Sequence, residues 1–179
     1  KHIISAIDSL SLEASQKETY KAKGLAIYAM ILSIKGGNFK EIASCLEEAL
    51  KYDEQNNIFN DYDRSVILRS LCGAVAQYDM AASTPILKRG RELAFSIPDA
   101  IPLQIAYKID ECTDLMMDGR LEEGEKSLHE AMDMFPEEDV YWKGLARARL
   151  KLYIDDFRLQ NNINNKEIAS DVAESFRDI

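Results

Sequence analysis

The sequence predicts an all-α fold of antiparallel helical hairpins stacked side by side, about eight or nine helices in all. Three observations predict it. The stretch GGNFKEIASCLEEALKYDE (Gly36–Glu54) is written again, in kind, as DGRLEEGEKSLHEAMDMFP (Asp118–Pro136). Glycine and proline mark the ends of amphipathic runs. No turn dipeptide stands between alternating β-branched segments, so nothing reads as a strand hairpin.

Taken in order, IISAIDSL suggests a short first helix. ETYKAKGLAIYAMILSIK (Glu18–Lys35) is a long helix, mostly apolar in its second half, which Gly36 and Gly37 stop. Asn38 can cap the next helix, where Phe39, Ile42, Leu46, Ala49 and Leu50 form one stripe. Asp61 and Asp63 are candidate caps before a helix from about Ser65 to Met80. Ser83 or Thr84 is a natural cap for the following helix, with Pro85 in its first turn and Pro98 at its end. Pro102 opens a helix that Gly119 closes, and the repeated stretch then runs to Pro136. The acids Glu137, Glu138 and Asp139 suit the N-terminus of a further helix. Asn161–Asn165 is a linker, and KEIASDVAESF (Lys166–Phe176) closes the chain.

With Gly37 laid over Gly119, Leu46 falls on Leu128 and Ala49 on Ala131. One hairpin cannot bury both faces of its apolar stripe, so the next must stack on it and the same positions recur. The expected organisation is one domain over 1–179, with core repeats over about 18–157 and a linker and capping helix over 158–179. The chain opens on Lys1 and reads as a fragment of a larger protein.

These two stretches resemble tetratricopeptide repeats in their Gly-polar-apolar turn, bulky mid-helix residue (Leu46, Leu128) and late alanine (Ala49, Ala131). The early small position holds Gly124 in one copy and Ile42 in the other, a departure from the pattern. The longer spacing also resembles the helical sensor domain of maltose-regulator-type (LuxR-family) transcription activators. The resemblance implies a regulatory or sensor region of a larger signalling or transcription-regulatory protein. The alternative is an interaction adaptor of the cochaperone or assembly-factor kind, unrelated to transcription.

Charge and composition narrow the function. A net charge of −9 repels phosphate backbones, so direct nucleic-acid binding is not expected. No apolar run approaches the roughly 20 residues of a membrane helix, and no membrane partner is expected. Cys45, Cys72 and Cys112 fit neither a metal motif nor a disulfide scaffold, which points to a reducing, cytoplasmic setting. His2 and His129 are the only histidines, and no residue set suggests catalysis, a metal or a cofactor. Lys143, Arg147 and Lys151 share one helix face beside Tyr141 and Trp142.

In a stack of this kind the first helix of each hairpin lines the concave wall. The expected wall is Ile27, Ile31 and Ile34, then Leu71, Val75 and Tyr78, then Ile109, Thr113 and Met116. It lacks the Lys/Arg/Asn set with which chaperone-binding members of the family grip a carboxylate. Two readings remain: the wall packs internally, against the terminal helix for instance, or it receives an amphipathic helix, a peptide or a small apolar ligand. Acidic edges would then select a partner of opposite charge.

Overall fold

The computed structural model describes residues 2–135, and among them are seven helices and no strand. The helices are α1 (His2–Asp8), α2 (Ala14–Ile34), α3 (Phe39–Asn56), α4 (Asp61–Ala76), α5 (Met80–Ser96), α6 (Ile101–Met117) and α7 (Leu121–Asp133). The expected basic face around Arg147 and the closing helix Lys166–Phe176 lie outside the described residues. The chain divides into two compact units, Lys1–Ala100 and Ile101–Ile179.

In the first unit, α2 pairs with α3 and α4 with α5, and the two pairs meet through α3 and α4. Ala22, Leu25, Ala26 and Ala29 of α2 share one buried cluster with Ile42, Ala43, Leu46, Ala49 and Leu50 of α3 and with Ile67, Leu68, Leu71, Ala74 and Val75 of α4. The small residues on α2 allow close helix approach. Between α4 and α5, the buried Ser65 hydroxyl donates to the Gly90 carbonyl at 2.9 Å.

The second unit, as far as it is described, is the α6–α7 hairpin. Cys112 and Met116 pack on Leu128, with Leu121 at the edge. A Cβ on Gly124 would stand 2.9 Å from Met116 Cγ and 3.3 Å from the Cys112 carbonyl oxygen, so the hairpin closes on a residue without a side chain. Lys108 on α6 reaches Glu130 on α7 at 2.5 Å.

The hairpin turns explain why the two copies look alike and where they differ. Gly36 takes φ +68°, donates its N–H to Ser33, and lets Gly37 donate to Leu32 at 2.8 Å. Gly119 does the same with φ +76°, donating to Met116 while Arg120 donates to Leu115 at 2.9 Å. Both are left-handed helix stops that satisfy the last carbonyls. The left-handed residue of the first turn is therefore Gly36, not Gly37. That turn holds one more residue than its counterpart. The second helices align as the sequence suggests, but the first helices slip by one position. Ile31 then corresponds to Asp114 and not to Thr113.

Caps also move two helix starts. Asn38 accepts from Lys40 N–H at 2.9 Å and opens α3 as expected. Asn60, rather than Asp61 or Asp63, caps α4 by accepting from Asp63 N–H at 2.8 Å. The two acids lie in the first turn, where they favour the helix dipole. Asp79 caps α5, which therefore begins before Ser83 and holds Pro85 within it. Ser83 turns its hydroxyl back to the Met80 carbonyl at 2.7 Å instead of capping.

The α3–α4 connection is held by a buried carboxylate. Asp53, 3% exposed, accepts from Phe59 N–H at 2.7 Å and from Arg64 Nε at 2.6 Å. Arg64 also reaches the Phe59 carbonyl at 2.9 Å and Asp61 at 2.8 Å. Burial pushes the Asp53 pKa up, but the Arg64 and Phe59 hydrogen bonds outweigh it and the net direction is down. Its stabilisation is therefore complete above the unfolded value of about 3.9 and is lost as pH falls through the lower folded value.

Two outcomes are expected. Asp53→Asn should cost about 2–3 kcal/mol at pH 7 by urea unfolding, and the gap from the parent should close in acid, below pH of about 3.9. Gly124→Val should overpack the α6–α7 seam by about 1–3 kcal/mol, read as faster amide exchange across both helices; protection equal to the parent would show that the seam has room.

Candidate functional site

Helix α2 is apolar on two opposite faces. The face carrying Ala22, Leu25, Ala26 and Ala29 is buried. On the other side Tyr20, Lys23, Ile27, Met30, Ile31 and Ile34 follow one another in helical steps, all of them exposed. Ile27 is 58% exposed, Ile31 44% and Ile34 87%. Single exposed apolar residues are ordinary, but five on one stripe with one charge among them are not. The stripe from Tyr20 to Ile34 runs about 21 Å at 1.5 Å per residue.

The other expected wall residues differ in exposure. Tyr78, also exposed, lies in the first unit with Lys40 Nζ 5.5 Å from its ring centre. Leu71 and Val75, each 4% exposed, belong to the core of the first unit. Their helix, α4, is packed by α3 on one side and α5 on the other, with Leu71 lining a groove between those two. In the second unit Met116 is buried against Leu128, and Ile109 and Thr113 are half-buried. The extra residue in the first turn accounts for this, because residues paired by the sequence alignment do not occupy equivalent places on α2 and α6.

A second concavity escapes the sequence reading. A shallow groove of about 360 Å³ runs where α3 and α5 stand apart over α4. Its apolar lining is Leu50, Leu68, Leu71, Pro85 and Ile86. Glu47, Lys51, Glu54 and Arg89 form the rim, with Arg89 and Glu54 3.4 Å apart. Placing the start of α5 at Ser83 or Thr84 hides this groove, since Pro85 and Ile86 then fall in a first turn rather than along a helix flank.

The charges beside the α2 stripe are basic, not acidic as expected. From Thr19 to Lys40 there is no Asp or Glu, while Lys21, Lys23, Lys35 and Lys40 are all present. Lys21 is engaged by Asp8 at 2.5 Å. The exposed ammonium groups of Lys23 and Lys35 have no ion-pair or hydrogen-bond partner among the described residues. The nearest acid in sequence on the α3 side, Glu41, accepts from the Tyr28 hydroxyl at 3.2 Å, and that bond raises the Tyr28 pKa.

Elsewhere, burial pushes the Cys45 thiol up, away from the nucleophilic thiolate. Burial also raises Asp114, helped by the neighbouring Asp110, Asp118 and Glu111. His129 is exposed on α7. Among the described residues no group of three or more His, Cys, Asp or Glu could hold a metal ion, and no helix is long and apolar enough to cross a membrane. What the arrangement offers is apolar contact area with a few fixed cations. Compared with protein-family models, with curated proteins and with solved structures, the chain matches none.

Proposed function

We propose that the chain is a noncatalytic recognition scaffold, a regulatory or sensor region of a larger signalling or transcription-regulatory protein. In this reading its hairpins stack as a short tetratricopeptide-like solenoid, and a partner lays an apolar stripe along α2. The exposed Ile27–Ile31–Ile34 stripe carries the reading. Two paired hairpins meeting through α3 and α4 agree with the stacked arrangement. Taking an isoleucine from full exposure to burial contributes about 1.5–3 kcal/mol; Ile27 and Ile31 start about half covered, so the three together reach the low end of the cost of association.

The adaptor alternative rests on the same stripe and differs only in what flanks the chain. A selection of helical peptides displayed on phage tests both. Binders enriched on the parent protein should compete with one another and lose binding at least about tenfold (1.4 kcal/mol) on Ile31→Glu. Because Ile31 is already exposed, melting of that variant should stay within about 0.5 kcal/mol of the parent. Binders indifferent to Ile31→Glu, or no enrichment at all, would remove α2 as the recognition face.

A further inference from the structure

We infer that the occupant of the α2 stripe is an amphipathic helix of about four turns whose apolar ridge is bordered by acidic side chains. The inference rests on the recognition reading above and adds the partner's chemistry. Three observations carry it. The first is length: Tyr20 to Ile34 presents a continuous ridge of four turns, with no polar break except Lys23.

The second is sign. The chain as a whole carries −9, yet Thr19–Lys40 contains four lysines and no acid. A helix bordered by lysines or arginines would gain nothing locally. One bordered by Asp or Glu meets cations at both ends of the ridge, Lys23 near its start and Lys35 at its close. The third is availability. Lys21 is committed to Asp8 and Lys40 stands over Tyr78, but Lys23 and Lys35 are unengaged among the described residues. Unpaired exposed ammonium groups within and just beyond an apolar ridge raise encounter rates and select sign without first having to break an internal pair.

The same pattern would serve two other occupants less well. A second copy packed face to face through α2 would set lysine against lysine in a parallel pair, and in an antiparallel pair would face Lys23 and Lys35 with no acid. An anionic membrane would attract the lysines, but the remaining surface of a −9 chain opposes approach to that charge.

The experiment uses the full chain and two stapled 16-residue helices with an identical leucine ridge, one bordered by glutamates and the other by lysines. Fluorescence anisotropy should give at least about tenfold tighter binding of the glutamate helix in low salt, shrinking as salt rises. The double variant Lys23→Glu/Lys35→Glu should reverse the order while Ile31→Glu weakens both. Equal binding of the two helices would overturn the charge inference and leave the apolar face standing. Binding of neither would overturn both. Two further results would overturn it in favour of another occupant: a dimer in sedimentation that Ile31→Glu dissolves, or binding to phosphatidylserine vesicles that the double lysine variant abolishes.

Discussion

How closely α2 and α3 approach decides what the rest of the first unit can do. The fully buried residues on the α2 side of the seam are alanines except for Leu25. Small side chains let two helix backbones come near, and interaxial distance follows side-chain size at the contact. The bulky β-branched residues of α2 have no place in such a seam. They are carried on the opposite side of the helix, which is how a helix with ample apolar content leaves three isoleucines exposed. An exposed apolar face and a tight core are thus two consequences of one arrangement of residue sizes.

Much of this was legible in the sequence because it depends on local rules. The second helices of the two similar hairpins could be laid over each other, and Leu46 with Leu128 and Ala49 with Ala131 are indeed all buried. The Asn38 cap could be read from a polar residue standing just before an apolar stripe. What local rules could not decide was which of two adjacent glycines takes the left-handed conformation. Gly36 and Gly37 are chemically identical, and only the bonds to Ser33 and Leu32 distinguish them. That single choice moved the register of the first helices. Asp79 and Asn60 escaped notice for a related reason: each competes with other good cap residues a few positions on, and the outcome depends on which start buries the better face. The lysine-only character of Thr19–Lys40, by contrast, was visible in the sequence and was hidden by the acidic average of the whole chain.

Helix α4 shows why the exposed apolar face falls on α2. It is packed between α3 and α5, and both its ridges are spent on the core, Leu71 and Val75 among them. The Asp53–Arg64 cluster then ties its first turn to the end of α3 through an ion pair with a buried carboxylate and a half-buried guanidinium. A buried pair of this kind contributes little net stability compared with apolar packing, yet losing one member is costly. Its effect is to set how α3 ends and α4 begins. Among the described residues of the first unit, α2 combines a buried apolar face with an exposed apolar one.

Affinity and selectivity on such a face come from different atoms. The isoleucines supply area, and area is indifferent to which apolar ridge covers it. Left alone, a stripe of this kind would accept many helices and would also favour aggregation. The flanking charges make the difference. Lys23 and Lys35 add little to a bound complex, because exposed ion pairs contribute at most about 1 kcal/mol each. They penalise ridges bordered by cations, however, and so convert a permissive surface into one with a sign. A net-acidic chain that keeps acids off one helix face for the whole length of its exposed ridge satisfies both requirements: the body repels acidic neighbours at large, and the ridge admits one that approaches along it.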